Sequence, residues 1–87
     1  MSKLEIIMDM MFFIQKKGGK AKPTHIMYGV NLSHGALKEY LDLLISNHFI
    51  EKVEEDGKDF YKITEKGLEH INELRKIKEF KDAFGIE

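Results

Sequence analysis

Hydrophobic residues recur along this chain with a period near 3.6 at first, and after residue 48 with a period of two. Over residues 3–17, Leu4, Ile7, Met8, Met11 and Ile14 fall on one stripe at the i, i+3, i+4 spacing of an amphipathic helix. Ile6, Met10 and Phe13 fall on the opposite side, with Phe12 at the edge of the first stripe. Glu5, Asp9 and Lys16 are left as a narrow polar strip. The rest of so short a chain is expected to be too small to cover both apolar faces, which assigns the second to a subunit contact. Gly18-Gly19 ends this helix, with Lys16 and Lys17 in its last turn, where the macrodipole favours cations.

Residues 20–23, Lys-Ala-Lys-Pro, read as extended and supply a short edge strand, because the residue before proline is pushed out of the helical region. A second helix starts at Pro23 or Thr24 and stops around Tyr28 and Gly29. Ser33 caps a third, which runs to about Asn47. Leu37, Tyr40, Leu41, Leu44 and Ile45 make its buried stripe, and Gly35, Lys38, Glu39, Asp42 and Ser46 its exposed one. Residues 49–53 and 58–63 then alternate as strands around a turn over 54–57 with Asp56-Gly57 at its centre.

Thr64 caps a final helix reaching about Phe84. The order predicts an α+β, mostly α fold: a winged helix-turn-helix with an added C-terminal helix. A single domain over 1–87 is expected, with 1–64 as the winged core and 65–87 as the dimerisation helix. The first half of that helix should pack on the first helix. The second half should project, as part of a rod of roughly 30 Å. Ile77, Phe80 and Phe84 would then be exposed unless a second copy buried them together with Ile6, Met10 and Phe13. A symmetric homodimer would also present two reading helices for paired half-sites.

Composition narrows the class. With 43% hydrophobic and 33% charged residues and no cysteine, the chain reads as globular, with neither a disulfide framework nor a thiolate metal site. The longest apolar run, residues 10–14, is too short for a membrane span or a signal segment, and a cytoplasmic protein is expected. The net charge of −1 hides a division. Residues 1–38 carry six lysines against Glu5 and Asp9, whereas residues 39–87 carry eight basic and thirteen acidic side chains.

Thr24-His25-Ile26-Met27-Tyr28-Gly29-Val30-Asn31-Leu32-Ser33, followed by Leu37-Lys38-x-Tyr40-Leu41 and by Tyr61-x-Ile63-Thr64-x-Lys66-Gly67, resembles a family of small archaeal winged-helix proteins. That family comprises predicted transcriptional regulators and dimeric chromatin-associated DNA-binding proteins of about this size. The likeness spans residues 4–74. It implies double-stranded DNA binding and dimerisation through the C-terminal helix as a coiled coil. The chain departs from the pattern at Gly35, Ala36 and Glu39, and its last helix ends sooner.

In such a fold the N-terminal residues of the second helix of the motif lie at the base edges, which points to His34 and Lys38, beside Gly35, with Ser33 near a phosphate. Lys20, Lys22, Thr24 and His25 form a candidate phosphate anchor at the preceding helix start. Tyr28 reads as a phosphate contact or a core ring, with the core favoured. Five acidic residues of the hairpin outnumber Lys52 and Lys58, so only Lys58, with Lys62, is placed to lean onto the backbone. His25, His34, His48 and His70 lack metal-ligand spacing, and no catalytic constellation stands out.

Neither an enzyme nor a cofactor is expected. The leading reading is a homodimeric DNA-binding regulator or chromatin component, nucleoid-associated if it binds DNA. A winged-helix protein-interaction module is the alternative, favoured by the acidic wing and Glu39. No small-molecule ligand is expected, since the methionine-lined seam offers no polar anchor.

Overall fold

A computed structural model describes residues 2–85; Met1 and residues 86 and 87, the end of the expected C-terminal segment, lie outside them. The elements are α1 (Lys3–Lys16), β1 (Lys20–Ala21), α2 (Pro23–Val30), α3 (His34–Ser46), β2 (Ile50–Glu55), β3 (Lys58–Ile63) and α4 (Glu65–Phe84). The strands form one antiparallel sheet in the order β1-β3-β2. This is the expected winged helix-turn-helix with an added C-terminal helix.

Local chemistry accounts for most boundaries. Ser2, Ser33 and Thr64 cap α1, α3 and α4 by accepting the backbone N–H of Glu5, Ala36 and Gly67. Gly18, at φ 87°, ends α1, with Gly18 N–H donating to the Gln15 carbonyl and Gly19 N–H to that of Ile14. α3 ends in the same geometry with His48 in the left-handed position, at φ 62°. The hairpin turn is tighter than its sequence suggests. Asp56 and Gly57 both have positive φ, the pattern of a two-residue type I′ turn, so Glu54 and Glu55 belong to the ladder.

α2 also differs from expectation. It passes through Gly29 to Val30, and Asn31, in the left-handed region at φ 59°, makes the turn. Gly29 serves packing instead: a Cβ there would lie 2.2 Å from the Phe13 ring of α1. This contact corrects the assignment of a partner-facing side to α1. Met10 has no exposed surface, Phe13 lies against α2, and Ile6 is half-buried on the core. The chain itself covers Met10 fully and Ile6 and Phe13 in part. The core joins Met10, Met11 and Ile14 to Ile26 and Met27 of α2, Leu41 and Leu44 of α3, Ile50 and Ile63 of the sheet, and Ile71 of α4.

The start of α4 is fixed on three successive carbonyls at the end of α3. Lys66 Nζ donates to the Asn47 carbonyl at 3.0 Å. Thr64 Oγ1 donates to His48, and Thr64 N–H to Phe49 at 3.0 Å. Gly67 completes the motif, since a Cβ there would lie 2.2 Å from the Phe49 carbonyl oxygen. Each residue of Thr64-x-Lys66-Gly67 therefore has a physical task.

Beyond Leu74, α4 does not project freely as expected. It runs along the polar strip of α1, joined to it by a hydrogen bond and an ion pair. Arg75 donates to the Gln15 side chain, Lys81 lies 3.5 Å from Glu5, and Lys78, paired with Asp82 at 3.0 Å, also feels Asp9. The Ser2 hydroxyl, and then Lys81, hold the Glu5 carboxyl below its ordinary range. Asp82 raises the Lys78 ammonium above its own. Ile77, Phe80 and Phe84 remain exposed, with the two phenylalanine rings 4.8 Å apart.

Gly29→Ala and Gly67→Ala should each lower stability by about 1–3 kcal/mol through overpacking. Gly35, whose Cβ would meet open space, should tolerate alanine with a gain of up to about 1 kcal/mol. Urea denaturation of the three variants measures the contrast.

Candidate nucleic-acid interface

The helix-turn-helix segment exposes two helix starts. At the first, Lys22 occupies the N-cap of α2 without a side-chain capping bond, and Pro23 follows. The helix's own hydrogen bonds begin at Ile26, whose N–H donates to the Lys22 carbonyl, so the N–H groups of Thr24 and His25 have no acceptor within the helix. Both residues are exposed. At the second, Ser33 Oγ accepts the Ala36 N–H at 3.1 Å, which leaves its hydroxyl proton available to an external acceptor.

Past that cap, His34, Gly35 and Lys38 lie exposed on α3, with Glu39 and Asp42 on the same side of the helix. Leu37, Tyr40, Leu41 and Leu44 turn the other way and fix α3 in the core. The presented surface thus holds an imidazole, an ammonium and a stretch of bare backbone, flanked by two carboxylates.

Tyr28 corrects the sequence expectation. It is 78% exposed, the most exposed of the large hydrophobic side chains among the described residues, and not a core ring. Its neighbours in the motif, Ile26 and Met27, take the buried positions, so Tyr28 faces solvent with Thr24 and His25. The signal available in the sequence was the helical offset: Ile26 and Met27 already fill the inward side of so short a helix.

Lys20 is less available than its charge suggests. Its ammonium pairs with Glu55 and lies 4.8 Å from the Phe60 ring centroid, reaching across β3 from one edge strand to the other. Lys22 sits 5.9 Å from the same ring and pairs with no carboxylate among the described residues. The unpaired charge beside the free N–H groups is therefore that of Lys22, while Lys20 is largely neutralised. Lys58 is exposed, but stands opposite Glu55 in the ladder.

At the wing tip Glu54 stands directly opposite Asp59, with Lys52 3.5 Å from Asp59 as the diagonal counterion. Like charges directly opposite are destabilising. The described residues contain no group of His, Asp or Glu side chains suited to a metal ion. None of their helices is long and apolar enough to cross a membrane.

Glu54→Lys replaces the repulsive pair with an attractive one. It should raise stability by about 0.2–1 kcal/mol, measured by thermal denaturation at low salt.

Comparison with known proteins agrees with this architecture. The winged helix-turn-helix family model matches residues 1–82. The uncharacterized protein MJ0287 of Methanocaldococcus jannaschii is 33% identical over 82 residues, covering 94% of this chain and 78% of that one. Among solved structures, Sso10a-2, a DNA-binding protein from Sulfolobus solfataricus, superposes with a TM-score of 0.83 at 21% identity, over 97% of this chain and 85% of its own. F93 from STIV, a winged-helix DNA-binding protein, gives a TM-score of 0.76 at 18% identity, over 93% and 91%. At such identities these two likenesses bear on the fold alone. With the family model spanning nearly the whole chain, this protein belongs to the winged helix-turn-helix family.

Proposed function

We propose that this protein binds double-stranded DNA as a homodimer, acting as a transcriptional regulator or a chromatin-associated protein. The observation that carries this reading is the pairing of two exposed helix starts in one motif: the uncapped start of α2 and the start of α3 with His34, Gly35 and Lys38. A helix N-terminus with free N–H groups attracts a phosphate, and the start of the second motif helix is the part that enters a major groove. The descriptions of Sso10a-2 and F93 as DNA-binding proteins support the same reading.

In this arrangement Thr24, His25 and Lys22 hold one phosphate, and Ser33 donates its hydroxyl to another. Tyr28 reaches the backbone from the exposed side of α2, while His34 and Lys38 face the bases. Dimerisation through α4 buries Ile77, Phe80 and Phe84, which the chain itself leaves uncovered. Met10 and Phe13 take no part, being committed to the core and to α2. A second reading, a protein-interaction module, draws on one observation: the acidic wing tip, with Glu54 facing Asp59, repels a nucleic-acid backbone.

Electrophoretic titration of a duplex at two salt concentrations tests the DNA reading. Binding should weaken steeply with salt, and Lys22→Glu and Lys38→Glu should each weaken it and lower the logarithmic salt slope by about one. Lys20→Glu should weaken it less, because Glu55 already offsets that charge. Tyr28→Phe should reduce affinity without altering the slope. Absence of duplex binding at low salt would leave the protein-interaction reading.

The dimer is tested separately by light scattering. The expected mass is twice that of the chain, and Phe80→Glu with Phe84→Glu should return it to the monomer. A monomeric wild-type chain at micromolar concentration would refute the dimer.

A further inference from the structure

Arg75 is the only arginine among the fourteen basic side chains of this protein. It lies on the wall of a cleft of about 470 Å³ between α1 and α4, together with Phe12, Gln15, Lys16, Lys78, Glu79 and Asp82. The guanidinium donates to the neutral Gln15 amide oxygen, and among the described residues no carboxylate lies within ion-pair distance of it. Lys78 is matched by Asp82, so the unmatched charges lining the cleft are Arg75 and Lys16 against Glu79. A second depression shares Phe12, Lys16 and Lys78 and continues along α1 to Gly29 and Asn31 at the end of α2.

We propose that this cleft binds a small organic carboxylate with an aromatic or branched apolar body. A guanidinium presents parallel N–H donors that match the two oxygens of a carboxylate, and it does so better than a lysine ammonium. Gln15 already orients the fork, which reduces the freedom lost on binding. The half-buried Phe12 ring supplies an apolar surface beside it. The cleft is an open groove, with Phe12 and Gln15 half-buried at its floor and the charged groups exposed around them, so a ligand would keep one side in solvent and bind weakly. A ligand seated there touches both α1 and α4 beside the end of α2, so it links the helix-turn-helix to the C-terminal helix.

The test is calorimetric titration of the whole chain with sodium benzoate at constant ionic strength, with no DNA present, so that its outcome is independent of the DNA reading. Saturable binding in the millimolar range is expected, with acetate, inorganic phosphate and the uncharged benzamide each at least about tenfold weaker. Arg75→Gln should weaken benzoate binding by about tenfold or more, and Arg75→Lys should retain an intermediate affinity. Amide resonances of residues 12–16 and 75–82 should shift on titration. No saturable binding would overturn the proposal, as would equal binding of acetate or benzamide, an unaffected Arg75→Gln variant, or shifts confined to other residues.

Discussion

The rest of the structure depends on the docking of one helix start onto three backbone carbonyls. Asn47, His48 and Phe49 end α3 with carbonyls that no longer point into a helix, and such groups need partners when they are covered. Thr64 and Lys66 supply the donors, and Gly67 supplies the space. Because these residues directly follow β3, the same contacts fix where the hairpin returns and the line along which α4 leaves. Ile71 then reaches the core, and α1 finds its polar strip against the far half of α4.

Much of this was legible in the sequence, because the signals were local. Ser33 and Thr64 announce caps, Asp56-Gly57 announces a hairpin, and the change of hydrophobic period separates helices from strands. What escaped was tertiary. Gly29 looks like a helix stop, but its role is to admit the Phe13 ring, and nothing within eight residues of α2 shows that. Met10 looks partner-facing on a helical wheel of α1, since the wheel does not show that α2 will fold over that side. In the candidate interface, the cap at Ser33 and the exposure of His34 and Lys38 followed from helical spacing. The pairing of Lys20 with Glu55 depends on a strand order that no local pattern encodes.

The electrostatics of the interface accordingly differ from those implied by counting lysines. One cation is bound by the wing, and two carboxylates flank His34 and Lys38 on the exposed face of α3. What remains is weighted toward neutral donors: the Thr24 and His25 backbone N–H groups, the Ser33 hydroxyl and the Tyr28 phenol. Neutral donors position a backbone by geometry and contribute little to long-range attraction. The exposed face thus sets directed neutral donors beside the charge that Lys22 and Lys38 keep.

The charged seam between α1 and the far half of α4 has a consequence for how this protein responds to its ionic surroundings. Among the described residues the ion pair that crosses the seam is Lys81 with Glu5, since Lys78 and Asp82 both lie on α4; its partly exposed groups attract less as salt rises. Were a polyanion bound, added electrolyte would act on two things at once: the ions condensed on it, and the ion pair that ties the far half of α4 to α1. An apparent ion stoichiometry taken from salt dependence would then contain a term from that contact within the protein. The slope would count that contact together with the anionic groups contacted.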